Sequence, residues 1–218
     1  MPDRCCLPNY DLTFDAEEAR RELIRYRSAG PESSTQRLID ALVAHGVDGA
    51  RLVDIGGGVG AVQHALLAAG ADRALDVDAS SAYLAVAEGE ARDRGLRDRI
   101  DYLHGDFVAV ADEVEPAEIV TLDRVICCYP DVRALVGASA ARATRLYGLV
   151  YPVDRWWTRL AVGIGNLWCR VRRRDYRAYV HPQRLVDEVV QAAGLVLARR
   201  QRSAFWQMDV FVRPQAAG

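Results

Sequence analysis

Arg51 to Gly60 reads RLVDIGGGVG, and AVQHALLAAG follows it. Leu52, Val53 and Ile55 form the short apolar run of a buried parallel strand. Gly56, Gly57, Gly58 and Gly60 predict a tight turn, and the residues beyond it predict a helix closed by Gly70. A ligand meeting this turn reaches the main chain itself, because glycine carries no β-carbon to hold it off. It also meets the free N–H groups of the helix start.

Two ligand patterns fit these letters. Gly56, Gly58 and Ala61 satisfy the G-x-G-x-x-G/A spacing of dinucleotide sites. Asp54 with Gly56, Gly58 and Gly60 satisfies the acidic-x-G-x-G-x-G spacing of S-adenosylmethionine (SAM) sites. The carboxylate is what distinguishes them: it repels a pyrophosphate and favours the ammonium and sulfonium of SAM. An ordinary strand-to-helix turn without a ligand also fits this stretch taken alone.

The chain has 218 residues, half of them apolar, with a net charge of −2. That is enough for one sizeable core and short for two, and it gives no general attraction to nucleic acid or anionic membranes. The first ten residues, MPDRCCLPNY, lack the apolar segment of a secretion signal, and no later run is long enough to span a membrane, so a cytoplasmic location is expected. Cys5, Cys6, Cys127, Cys128 and Cys169 show no C-x-x-C spacing. Free thiols and no metal site are expected.

Upstream of the quoted stretch, residues 1–46 read as a helical arm. Asp15 with Glu18 starts one helix that stops at Gly30-Pro31, and a second runs from Ser33 or Ser34 to Gly46. Downstream, RALDVD predicts a second strand ending at Asp78, where a carboxylate can accept from both hydroxyls of a ribose. A helix from Ser80 or Ser81 follows, then a third strand from Ile100 to His104 and the tripeptide Gly105-Asp106-Phe107. There an acidic side chain can take an adenine amino group while the Phe107 N–H meets a ring nitrogen; Asp106 equally suits a helix N-cap.

A fourth strand, Ile119 to Leu122, ends at Asp123-Arg124, and DVRALVGASAARATR reads as a helix before a fifth strand, Leu146 to Tyr151. The segment from Asp154 to Tyr179 is amphipathic, with Trp156, Leu160, Ile164, Leu167, Trp168 and Val171 on one face and Arg159, Asn166, Arg170 and Arg173 on the other. It reads as a helix packed on the sheet, as a lid over an apolar substrate, or as a membrane-surface helix. A last helix ends at Gly194, and two strands close the chain. Strands alternating with helices imply an α/β, Rossmann-like parallel sheet with helices on both faces and a site at the carboxyl ends of the strands.

With Asp54, Gly56, Gly58, Gly60, Asp78 and Gly105-Asp106-Phe107 in register, the sequence resembles the class I SAM-dependent methyltransferases over residues 48–213. The resemblance implies a seven-stranded, mostly parallel sheet of order 3-2-1-4-5-7-6 with the last strand antiparallel. In layout it is nearest to the magnesium-protoporphyrin O-methyltransferases, which share an N-terminal helical arm (here 1–46) and a helical lid inserted after strand five (here 153–181), all in one domain. In that group a His precedes a Tyr-Pro dipeptide; here Cys128 precedes Tyr129-Pro130. The SAM-binding roles therefore carry over and the substrate does not.

The implied function is methyl transfer from SAM to a small, apolar or planar molecule. Asp54, Gly56, Gly58, Gly60, Asp78, Asp106, Phe107 and Asp123 are expected to bind the cofactor. Tyr129 and His181 are the candidates for proton handling, and Tyr26, Arg124, Arg155 and Trp156 for holding the acceptor. A catalytically silent SAM-binding scaffold and an NAD(P)-dependent oxidoreductase are the rival readings. Neither nucleic-acid binding nor stable membrane insertion is expected, and the oligomeric state is not legible.

Overall fold

The computed structural model describes residues 10–172 and 176–214, so Cys5, Cys6 and Arg173 lie outside the described residues. The chain opens with α1 (Tyr10–Thr13), α2 (Ala16–Ala29) and α3 (Ser33–Ala44). Five strands then alternate with helices: β1 (Arg51–Ile55), α4 (Ala61–Ala68), β2 (Arg73–Asp78), α5 (Ser81–Asp93), β3 (Ile100–His104), α6 (Phe107–Val110), β4 (Ala117–Asp123), α7 (Val132–Arg142) and β5 (Ala143–Pro152). The rest comprises α8 (Trp156–Val171), α9 (Gln183–Ala192), β6 (Val196–Arg202) and β7 (Trp206–Val212).

The seven strands lie in the order β3-β2-β1-β4-β5-β7-β6. β1 to β5 pair in parallel, and β7 runs antiparallel between β5 and β6. Residues alternate between two cores because successive side chains of a strand point to opposite faces. Val53, Ile55, Tyr147, Leu149 and Tyr151 pack with α7 and α9 on one side, while Leu52, Leu146 and Val150 pack with α3 and α4 on the other. Apolar runs buried on both faces are what such central strands require.

Three features depart from the sequence reading. The short α1 was not anticipated. Ala143, Thr144 and Arg145, read as the end of a helix, open β5 instead, with Ala143 opposite Ala117 on β4. The helix α8 turns its broad apolar face away from the protein: Trp156 is 72% and Val171 70% exposed, and Thr158 is the one residue of the helix that is buried. Packing that face on the sheet is therefore not what holds α8.

The arm is anchored differently along its length. Asp15 caps α2 by accepting from the N–H groups of Glu17 and Glu18, both at 2.9 Å. Arg27 near the end of α2 donates to Glu90 of α5 at 2.6 Å. Helix α3 buries Leu38 and Leu42 against β5, where Gly148 leaves the room: a β-carbon there would lie 2.7 Å from Leu38 Cδ1. We expect Gly148→Val to destabilise the fold by about 1–3 kcal/mol through overpacking, read as a lowered urea midpoint. A variant as stable as the parent would show that α3 does not seat on β5.

Candidate functional site

A cavity of about 310 Å³ opens at the carboxyl ends of β1, β2 and β4, over the turn from Gly56 to Gly58. Gly56, Gly58 and Gly60 all have positive φ, at 64°, 59° and 84°. Three glycines of the turn are fixed by what lies beneath them. A β-carbon would come within 2.6 Å of Val125 at Gly56, 2.7 Å of Asp76 Oδ1 at Gly57 and 2.5 Å of the His64 ring at Gly60. Around Gly58 the nearest atoms, those of the Tyr83 ring, are 4.0 Å away. That is the place where a ligand can approach the backbone.

Acidic groups collect beneath and beside this turn. Asp54 and Asp76 face each other in the β1–β2 register, and both are buried. Asp54 Oδ1 accepts from Thr121 Oγ1 at 2.6 Å, and Asp76 Oδ2 accepts from Gln63 Nε2 at 2.6 Å. Burial pushes the Asp54 carboxyl up to about 7, only partly offset by the Thr121 hydrogen bond. Burial, reinforced by the Asp54 charge, also raises Asp76 well above the ordinary carboxylate range. At the end of β2, Asp78 Oδ1 accepts from the Ser80 N–H at 2.8 Å, and burial lifts its carboxyl to about 6.

Asp106 caps α6 by accepting from the Val108 N–H at 3.0 Å, and its second oxygen accepts from the Tyr129 hydroxyl at 3.0 Å. Asp106 is thus the N-cap of α6, and it also lines the cavity together with Phe107, Asp123 and Tyr129. Desolvation first, then the Asp106 charge, raises the Tyr129 phenol. Asp123 accepts from Thr35 Oγ1 at 2.6 Å and lies 3.7 Å from Arg124. Arg124, whose φ of 62° is the one positive value outside glycine among the described residues, also reaches Glu22 at 3.2 Å.

Several residues expected at the site lie elsewhere. Tyr26 is buried outside the cavity, stacked on His64 at 6.4 Å with the Arg94 guanidinium 4.9 Å above its ring. His181 has its Nε2 at 2.9 Å from the Ile126 carbonyl and 3.0 Å from that of Tyr129, so it straps the loop after β4; burial lowers its pKa. Arg155 lies over the Trp157 ring at 5.2 Å, and Trp156 projects into solvent. None of these four lines the cavity, and neither does Gly60.

In their place stand residues that sequence reasoning passed over. The arm contributes Tyr10, Phe14 and Glu22, and the segment after α8 contributes Tyr176. Phe14 meets Tyr176 edge-on at 5.7 Å, and the Tyr176 hydroxyl lies 3.3 Å from Cys128 Sγ. Tyr83 of α5 donates to Glu22 at 2.8 Å. Asp76 was detectable, because it sits two residues before Asp78 and so shares its face of β2. The aromatic cover was not, since it comes from three separate places in the chain.

A family described as a methyltransferase domain matches residues 53–151, from β1 to β5. The fold is that of the class I SAM-dependent methyltransferases. Magnesium protoporphyrin IX methyltransferase from Synechocystis, solved with bound SAH, is 19% identical, with 94% of this chain and 98% of that one covered and a TM-score of 0.74. The same enzyme with bound SAM is 18% identical, over 97% and 100% of the two chains, with a TM-score of 0.69. An O-methyltransferase family 2 protein from Planctomyces limnophilus, in complex with apigenin, is 19% identical over 91% of this chain and 62% of its own, with a TM-score of 0.67. The cyclase SpnF is 13% identical over 95% and 97%, with a TM-score of 0.68. No curated protein matches the sequence.

The raised Asp54 carboxyl has a thermodynamic signature. Its folded pKa of about 7 lies above the ordinary 3.8, so the folded protein binds more protons than the unfolded chain between those values. Stability from this group is present below the unfolded pKa and is lost as pH rises through the folded one. We expect the stability difference between parent and Asp54→Asn to shift by on the order of 3 kcal/mol from pH 4 to pH 8. Urea melts across that range measure it; a pH-independent difference would mean that Asp54 is ionised throughout.

Proposed function

We propose that this chain binds SAM along the carboxyl ends of β1, β2 and β3 and transfers its methyl group to a small, apolar or planar acceptor. The observation that carries the reading is the set of carboxylates around an open Gly58. Asp54 and Asp78 favour a cationic nucleoside and oppose a pyrophosphate. The antiparallel β7 between β5 and β6 also separates this sheet from the 3-2-1-4-5-6 order of dinucleotide folds.

In this reading Asp78 accepts from the ribose hydroxyls, Asp106 and the Phe107 N–H hold the adenine, and Asp54, Asp123 and the turn receive the cationic end. SAM, when bound, supplies a methyl group already activated by the positive sulfur. Displacement at such a centre needs alignment more than proton transfer. That suits a site in which the Tyr129 hydroxyl is committed to Asp106 and His181 to two carbonyls. Tyr10, Phe14 and Tyr176 offer apolar ring faces to the acceptor, and the paired Glu22 and Arg124 offer the polar contact. The arm and the insertion act as parts of one domain with the sheet, since each sends side chains into the cavity. A flat acceptor such as the apigenin held by the Planctomyces protein is of the class this cover suits.

Calorimetric titration tests the cofactor assignment. Asp78→Ala is expected to weaken SAM binding by about 1–3 kcal/mol through lost hydrogen bonds, and NADH is expected not to bind. Equal SAM affinity in the variant would remove Asp78 from the ribose. For the turn, Gly58→Val forces a branched side chain into left-handed backbone at the cavity wall. It should abolish SAM binding while the circular dichroism spectrum stays close to that of the parent; full affinity would place SAM elsewhere. Methyl incorporation from labelled SAM into a panel of planar phenols and carboxylic acids separates the enzyme from the silent scaffold.

A further inference from the structure

The helix α8 is amphipathic in the opposite sense to an ordinary surface helix. Thr158, Val162, Asn166 and Cys169, spaced four, four and three residues apart, form its inward side. Hydrogen bonds tie it to the protein: Asn166 donates to the Ala178 carbonyl at 2.8 Å and accepts from the Ala178 N–H at 2.9 Å, and Trp157 Nε1 donates to the Ala204 carbonyl at 3.1 Å. On the far side Trp156, Leu160, Ile164, Leu167, Trp168 and Val171 form one continuous exposed stripe. A soluble protein seldom leaves an apolar face of this breadth in water without a partner for it.

Charge identifies the partner. The helix contains no acidic residue. From Asp154 to Tyr179 the sequence holds seven arginines against two aspartates, a local net of +5 in a chain whose total is −2. Arg159 and Arg170 border the stripe on one flank and Arg172 on the other. Arg172 lies over the Trp168 ring at 4.5 Å, and Arg159 also pairs with Asp154 at 2.7 Å. Two copies docking face to face would bring two such basic segments together, which like-charge repulsion opposes. An anionic lipid surface answers both features: acyl chains take the stripe, phosphates take the arginines, and tryptophans favour the boundary between them.

We propose that α8 is a membrane-surface helix, lying in the plane of an anionic bilayer with Leu160, Ile164 and Leu167 immersed. Among the described residues no helix is long and apolar enough to cross a membrane, so the association is peripheral. The helix is tied through Asn166 and Ala178 to the segment carrying Tyr176, so the docking face and one wall of the cavity belong to one stretch of chain.

The full chain is mixed with vesicles of phosphatidylcholine alone and of phosphatidylcholine with phosphatidylglycerol, and bound protein is separated by flotation. Binding is expected to the mixed vesicles, at least about tenfold weaker to the neutral ones, and reduced by salt. Three of the four tryptophans lie on α8, so binding should shift the emission to shorter wavelength. A combined Leu160→Gln, Ile164→Gln, Leu167→Gln variant should lose binding by about tenfold or more. Its circular dichroism and SAM affinity should remain those of the parent, because these side chains face water. Failure of the parent to float with anionic vesicles, or undiminished flotation of the triple variant, overturns the proposal. So does a parent dimer in sedimentation that the triple variant abolishes, which would make a second copy the occupant.

Discussion

The site depends on a glycine turn resting directly on a buried carboxylate. Gly57 leaves no room for a β-carbon above Asp76, and Gln63, two residues into α4, donates to the other oxygen of the same carboxylate at 2.6 Å. This contact fixes the angle at which β1 passes into α4, and so the direction in which the N–H groups of the helix start point. Asp54 stands beside Asp76 in register; burial favours the protonated form of both, and the Asp54 charge adds to that effect on Asp76. Unpaired charge is costly in such a place. A ligand that brings a cation replaces the proton with something that satisfies the carboxylate, and affinity for cations is thereby built into the strand ends.

A second set of contacts joins the arm to the same strand ends. Thr35 of α3 donates to Asp123, Arg124 reaches Glu22 of α2, and Glu22 accepts from Tyr83 of α5. The arm is therefore no padding at this edge. It supplies one wall of the cavity and satisfies groups that the sheet alone would leave buried and unpaired. Arg124 holds its place in a left-handed conformation that costs on the order of 1 kcal/mol outside glycine. Its side chain bridges Asp123 and Glu22 in return.

The sheet was legible because its signals are local: short apolar runs, glycines at the turns, and a carboxylate at or just beside the ends of β1 to β4. The residues expected around the cofactor lie where strand order puts them, with Gly60 set back from the cavity by the His64 ring beneath it. What could not be read depends on tertiary placement. Tyr26 and Glu22 occupy the same helix one turn apart, and sequence gives no way to tell which of them faces the cavity. His181 stands beside Pro182 like an exposed loop residue, yet two carbonyls of a distant loop claim its ring. For α8 the period of the pattern was right, and it left open whether the apolar side meets the sheet, a substrate or a membrane surface. Periodicity says that a helix has an apolar side; it does not say that the protein is what that side meets.

The uneven distribution of charge has a practical consequence for handling the molecule. Its sequence pI of about 6.1 describes a mild anion at neutral pH. A segment of net +5 within a total of −2 leaves the rest of the chain at −7. Ion exchangers of either sign therefore find a face to hold, and retention on a cation exchanger above the pI is the expected behaviour. The molecule is a dipole before it is an anion, and it arrives at a charged surface already turned.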